Sequence, residues 1–449
     1  MKTTDLILPS YTEAFRCIGT ACEDTCCSGW LVPIDRGTHE KFQALPAGPL
    51  RTLINANIQI TVESEGRSKP PTFATLRMTG NHQCPLLSED RLCRIQAEYG
   101  ETFLPPTCAS YPRTSHRIGG IEEKVLMLSC PEAARLVLLN PDLLSPVHPA
   151  ITEPVCSEIA GDATEQSRSP QAWFWSIRKC VLAVVRNRAY PIWQRLFLLG
   201  LLCGQLDAIA NGELDCPIPA YLHEFEAIVL VGSLRAGMDA LPADCALQLD
   251  VVLRLAGMLL TKCNASPRFF DCVHAFTAGI GNGPGATLES LTARYTQAHD
   301  QFYAPFFDRH PYILENYLIN TIFRCQYPFG RGGTSPSSRP SLAREHALLT
   351  GQFALMRGLL IGVAGFHAEA FCANHVVFTV QSASKHFEHH PDFLNQVYDL
   401  LAESRMEGDR GRAILLRHTE PPGLASQTGV TGLIARWERE PKTKATCPP

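Results

Sequence analysis

From residue 171 onward, apolar positions recur at three- and four-residue spacing. Phe174, Ile177, Val181 and Val184/Val185 fall on one face of a helix, and Leu198, Leu201, Leu202 and Leu206 repeat the pattern in the next. The same spacing predicts helices near 220–235, 244–263, 286–303, 310–325, 340–363, 367–383 and 390–404. Leu348–Gly365 is a long apolar run, but Arg357 in its middle marks it as a buried core helix, and Leu196–Cys203 is far too short to span a bilayer. Before residue 155 no long period exists. Short helices and a few short strands, such as Ile58–Val62, are expected there. Turn-forming residues crowd 155–170 and 329–341, and the chain past 405 is polar and rich in proline. The predicted fold is mainly α. An irregular Cys-rich, metal-binding region with a few short strands occupies 1–154, a helical domain follows over 171–405, and 406–449 is a tail. No internal repeat is visible.

The bulk numbers narrow the function classes. The chain has 449 residues, 45% hydrophobic and 19% charged, with a net charge of −4. That is an ordinary globular composition with room for two or three domains. No basic excess points to nucleic acid, and no acidic excess points to a disordered chain. The first fifteen residues carry one lysine and no apolar core of signal-peptide length. The expectation is a cytoplasmic protein without a transmembrane segment, with peripheral membrane association left open.

Eighteen cysteines change this picture. In a reducing compartment they serve as buried small hydrophobes, reactive thiols or metal ligands rather than disulfides. Eight lie before residue 131: Cys17, Cys22, Cys26, Cys27, Cys84, Cys93, Cys108 and Cys130. The first four fall within eleven residues, and the loop can wrap one cubane (4Fe–4S) iron–sulfur cluster or one tetrahedral ion, with Gly19 and Gly29 permitting sharp bends. The other four sit in loop-like contexts. Eight thiols allow two sites, or one site with ligands drawn from both groups. No paired CxxC knuckles of a zinc ribbon occur, so iron–sulfur is favoured and zinc is the alternative, with His82 as a further zinc ligand candidate. The radical-enzyme pattern CxxxCxxC also fails, because Cys22-x3-Cys26 would be followed by Gly29 in the third position.

Several words of the sequence resemble one family. PSYTEAFRCIGTACEDTCCSGWLVPID, CPLLSEDRLCRIQAEYGETFLPPTCASYPR, SCPEAARLVL, PYILENYLINTIF and HVVFTVQSASKHFEHHPDF together resemble the flagellin lysine-N-methylases, from about residue 8 to residue 405. The cysteine words are shared in part with a broader group of zinc- or iron-chelating proteins. The ENYLIN and QSASKHFEHH words narrow the match. The resemblance implies S-adenosyl-L-methionine as methyl donor, flagellin lysines as acceptor and an iron–sulfur cluster.

Methyl transfer to lysine requires a neutral amine, whose ordinary pKa is about 10.4. A desolvated pocket with a Tyr, Glu or Asn near the amine meets that need. Tyr312, Glu315, Asn316 and Asn320 form one polar stripe on an otherwise apolar helix, and these are the candidate catalytic residues. The bland reading of the stripe is an exposed face or a helix-to-helix hydrogen-bond network. Arg113 is a candidate for the donor carboxylate, with Tyr111 beside it. His386, His389 and His390 have spacing that permits a metal pair, but cations near a helix C-terminus are common without one. The glycines of GIGNGPG (279–285) lack the flanking strand and acidic residue of a dinucleotide-type donor loop, and are read as a connecting turn. The competing reading of the whole chain is a non-enzymatic iron–sulfur or zinc carrier or chaperone.

Overall fold

The computed structural model describes residues 7–9, 11–29, 31–61, 72–80, 82–146, 158–159, 167–262, 266–330, 341–388, 391–404, 406 and 408–418. Most of the expected linker at 155–170, the loop at 331–340, His389, His390 and the chain past 418 lie outside them.

The N-terminal third is built from short pieces. Strand β1 (Ile7–Pro9) and β2 (Val32–Ile34) precede helices α1 (Arg36–Gln43) and α2 (Pro49–Asn57). Strands β3 (Ile58–Ile60) and β4 (Ala74–Leu76) lead to α3 (Arg94–Tyr99) and α4 (Pro106–Ser110). The hairpin β5 (Arg113–Ile118) and β6 (Ile121–Leu126) then runs into α5 (Pro131–Leu138), β7 (Leu144–Pro146) and β8 (Glu158–Ile159). The strands form three small sheets: β1–β7, β2–β4–β3 and β6–β5–β8. Helix α1 starts where it does because the Asp35 carboxylate accepts from the Thr38 N–H at 2.6 Å, a standard N-cap.

The remainder is helical, as the periodicity predicts. It runs through α6 (Phe174–Arg186), α7 (Ile192–Asn211), α8 (Ile218–Val231), α9 (Arg235–Asp239), α10 (Cys245–Lys262), α11 (Pro267–Gly279) and α12 (Leu288–Ala298). It continues with α13 (Ala304–Arg309), α14 (Tyr312–Arg324), α15 (Leu342–His367), α16 (Ala373–Phe387), α17 (Pro391–Glu403) and α18 (Asp409–Leu416). The expected tail therefore starts later than residue 406. Ala413, Leu415 and Leu416 of α18 are buried, and the Arg417 guanidinium donates to the carbonyl of Asp239 at 2.8 Å.

Helix α15 is the axis of the domain, packed against α7, α10, α11, α12 and α17. It and α7 are long and apolar enough to cross a membrane, yet α15 is wholly enclosed and α7 mostly so. Apolarity all round a helix is what a central core position demands. Contact with α11 is so close that glycine is needed on both helices. A Cβ on Gly279 would run into the carbonyl oxygen of Gly362 and lie 2.6 Å from the Phe366 nitrogen. The first glycine of GIGNGPG thus serves helix packing. Gly279→Ala is expected to destabilise by about 1–3 kcal/mol through forced separation of α11 from α15, measured as a lower urea midpoint. An unchanged midpoint would contradict this close-approach role.

Among the described residues there are two hydrophobic cores. A small one gathers Val32, Ile34, Phe42, Ile54, Leu76, Cys84 and Ile95. The large one fills the helical domain and also takes in Tyr11, Phe15, Val125, Leu126, Cys130 and Val137. Part of the N-terminal third therefore belongs physically to the helical domain. The remainder is a satellite with its own core.

Candidate metal centre

The eight early thiols lie along the boundary of these two cores. Cys84 is in the small core, with Cys27, Cys93 and Cys108 packed against it, whereas Cys130 is in the large one. Backbone pairing brings the distant loops together. The Cys84 N–H donates to the Cys27 carbonyl at 2.8 Å and the Gly29 N–H to the His82 carbonyl at 3.0 Å. A tight turn then folds Cys93 back, with the Arg94 N–H donating to the Leu86 carbonyl at 2.9 Å. Gly19 and Gly29 both have positive φ, 57° and 85°, so the bends expected of them are present.

The Cys17–Cys27 loop does not close on itself. Cys27 hydrogen-bonds Cys84, and Cys108 is raised by burial first and then by repulsion from Cys93. Cys22 is coupled to Cys17 and Cys130. Cys26 stands between, within reach of Cys27, Cys93, Cys108 and Cys130. The first group is thus divided, Cys27 joining Cys84, Cys93 and Cys108, and Cys17 and Cys22 joining Cys130. His82 remains exposed on the surface.

The protonation of these thiols has identifiable causes. Burial first, then repulsion from Cys93, pushes Cys108 up to about 12. Burial likewise pushes Cys130 up to about 12, against backbone N–H bonds from Ala133 and Glu132. The Cys26 thiol donates to Cys27 and is itself raised by that bond. Donation from Cys26 pulls Cys27 down, but its own donation to Cys84 and its burial win and leave it at about 12. Cys84 receives that bond and falls below the ordinary thiol value. So many thiols in one low-dielectric space hold their protons until a cation replaces them. Backbone N–H groups of Leu86, Ile95, Gln96, Glu132 and Ala133 already point at sulfur, as the surroundings of cluster-binding thiolates do. The donor set fits a thiolate-bound metal group.

A clamp from the far end of the chain holds these loops. Lys385 of α16 donates to the Asp24 carboxylate at 2.9 and 3.0 Å, to the Thr25 carbonyl at 2.8 Å and to Ser28 Oγ at 3.2 Å. Gln381 donates to Asp24 at 2.7 Å and to the Ser129 carbonyl at 2.9 Å. Glu388 accepts from the Ser129 N–H at 3.1 Å and pairs with Arg324 at 3.2 Å. Burial alone would raise the Asp24 carboxyl, but the charge and hydrogen bonds of Lys385 hold it below its usual range. None of these clamp residues was singled out from sequence. Their signal was present, since Gln381, Lys385 and Glu388 fall at i, i+4 and i+7, on one face of α16 and its C-cap. His386 in the same stretch accepts from the Ser266 N–H at 3.2 Å and packs on Phe269, which gives it a structural place.

The polar stripe of α14 faces protein. Asn320 accepts from the Tyr11 hydroxyl at 2.5 Å and donates to the Leu126 carbonyl at 3.1 Å. Asn316 donates to the carbonyls of Val137 and Asn140 at 3.0 and 2.6 Å. Glu315 pairs with Arg188 and Arg195, each at 3.0 Å. Tyr312 is half-buried at the start of the helix, with its ring near His310. Hydrogen bonding of the two asparagines is thus taken up in seating the N-terminal third on α14, the bland reading of the stripe. Arg113 lies over the Phe15 ring and donates to the Phe15 carbonyl at 3.1 Å, while the Tyr111 hydroxyl donates to Ser129 Oγ at 3.2 Å. Tyr111 is consequently beside Cys130 and the clamp.

The family model of the FliB lysine N-methylase C-terminal domain matches residues 178–415, which takes in α14, α16 and α18. Over 148 residues, 32% of this chain, the sequence is 35% identical to the flagellar biosynthetic protein FliU of Salmonella muenchen and covers 83% of that protein. Over the same length it is 34% identical to the lysine-N-methylases of Salmonella typhimurium and Salmonella choleraesuis, in each case covering 35% of the relative. The aligned stretch thus spans about a third of those two methylases. No solved structure matches the chain. With more than half of its length matched by the family model, the chain belongs to the FliB lysine N-methylase family.

Proposed function

We propose that the protein transfers methyl groups from S-adenosylmethionine to lysine side chains of flagellin, with an iron–sulfur cluster held by the early cysteines. The observation that carries this reading is the family match over 178–415, because that span contributes the helix gripping the thiol loops. Relatives named lysine-N-methylase support lysine as the acceptor, and the one named for flagellar biosynthesis supports a flagellar target. Cys27, Cys84, Cys93 and Cys108 are the first ligand set, with Cys17, Cys22 and Cys130 beside them and Cys26 able to serve either side. A bound cubane supplies a rigid cross-link among thiolates and a store for an electron. The chain's own contribution there is to desolvate the thiols, aim backbone N–H groups at them and hold their loops through Lys385. For transfer itself, the enzyme must take a proton from the acceptor amine and align its lone pair with the sulfonium methyl. Positioning supplies much of the rate in such a reaction.

Anaerobically prepared protein, purified flagellin and methyl-labelled donor test this directly. Label on flagellin lysines is expected. Its absence with the cluster intact would overturn the enzymatic reading and leave a metal carrier. A colourless, zinc-replete protein that still labels lysine would overturn the choice of iron.

A further inference from the structure

Far from the cysteines, a second group of ligand-type side chains meets at the lower end of the helical domain. Helix α12 runs directly into a π-helical turn, His299–Tyr303, and such turns are often found at functional positions. This turn brings His299 and Asp300 toward His418, which follows α18. One ligand atom from each of His299, Asp300 and His418 lies within 4.8 Å of the other two, the sole such trio of His, Cys, Asp or Glu among the described residues. The His299 and His418 rings stack at 3.5 Å, and His299 Nδ1 is 2.7 Å from the Asp300 carboxylate. Cys245, at the start of α10, adds a thiol 3.7 Å from His418 Nδ1.

Two further observations point to a ligand. His418 is 7% exposed, and its Nε2 is buried without any hydrogen-bond partner, an unmet need in the interior. An open cavity of about 550 Å³ gives access, lined by Asp244, Cys245, Thr292, Thr296, Asp300 and His418. Burial and the nearby Arg357 guanidinium both hold the His299 and His418 imidazoles below the ordinary histidine value. Arg357 is itself anchored on the Leu416 carbonyl at 2.6 Å. Its charge opposes a cation here, and the Asp300 carboxylate, the Asp244 carboxylate and a Cys245 thiolate are the groups that offset it.

We propose that His299, Asp300 and His418, with Cys245 at the edge, form a binding site for a divalent transition metal of the zinc class, separate from the cysteine centre. Two imidazoles, a carboxylate and a nearby thiol make a borderline donor set of the kind zinc takes, and an open cavity leaves room for water or a further ligand. Because the π-helical turn after α12, the start of α10 and the segment after α18 each supply a ligand, the ion would pin the C-terminal end of the described chain to the bundle.

The test is zinc titration of full-length, cluster-loaded protein, with zinc and iron counted after desalting. Wild type is expected to retain one zinc equivalent beyond whatever the cysteines hold. The His299→Ala/His418→Ala variant is expected to lose that equivalent with unchanged iron. Asp300 is exposed, so Asp300→Asn keeps the fold and is expected to bind zinc about 10- to 100-fold more weakly. Wild type that binds no such equivalent, or an Asp300→Asn protein with wild-type zinc affinity, would overturn the proposal.

Discussion

Glu123→Ala is expected to lower the unfolding free energy by about 3–5 kcal/mol, because it strands a buried guanidinium. Arg178 on α6 is 3% exposed and Glu123 on β6 is fully buried, paired at 2.9 Å. The guanidinium lies 4.8 Å from the Phe174 ring centroid and 4.6 Å from that of Phe323, where water cannot replace the lost carboxylate. Burial raises the Glu123 carboxyl and lowers the Arg178 guanidinium, each against the pull of its partner's charge. Desolvation therefore outweighs attraction in this pair. Arg178 Nε and Nη2 also find no hydrogen-bond partner. It follows that the single and double replacements should differ in kind. Glu123→Leu with Arg178→Met removes both charges and keeps the volume, and is expected to be neutral or stabilising. Urea unfolding of the single and double variants checks this. A double variant as unstable as the single would show that the pair is a net source of stability.

This pair also shows where sequence reading stops. The helices were legible because burial on one face imposes a three-to-four period. Ile177, Val181 and Val185 of α6 are all buried as that spacing requires. Helix α11 was missed although Phe269, Cys272, Val273 and Phe276 carry the same i, i+3, i+4, i+7 signal and are all buried. The glycine run after them drew attention to a loop. The eleven residues of the Cys17–Cys27 loop reveal four thiols but not their partners. That information resides in the pairing of 27–29 with 82–84, a long-range contact that no local period encodes. The α14 stripe was legible as polar, and its destination was not, because an asparagine facing a pocket and one facing Leu126 look alike in sequence. Helix α18 falls in the expected tail for a similar reason. Helix α18 is short, and its docking depends on Arg417 reaching the carbonyls after α9.

On the proposed iron–sulfur reading, Lys385→Ala is expected to leave the protein folded but with at most half the iron of wild type, with a matching loss of visible absorbance. A single ammonium holds Asp24, Thr25 and Ser28, the residues that carry Cys22 and the Cys26–Cys27 pair. Its side chain is 10% exposed and that of Asp24 12%, so water competes weakly for either. Hydrogen bonds to charged groups contribute about 1.5–3 kcal/mol each, and more is lost when a buried carboxylate remains. After the substitution Gln381 alone would hold Asp24 from α16, and the loop between the two thiol sets would lose its fixed position. Ligand loops that move raise the entropy that metal binding must overcome. Asp24→Asn should weaken the same contact from the other side. The pH dependence follows from the sign of the Asp24 shift. Its folded pKa lies below the unfolded value of about 3.9, so the clamp contributes fully above that pH and is lost as pH falls through the lower, folded value. On the same reading, Lys385→Ala protein should lack the acid-dependent part of iron retention expected of wild type. Full iron content and an unchanged melting temperature in that variant would mean that the thiol loops hold their shape without α16.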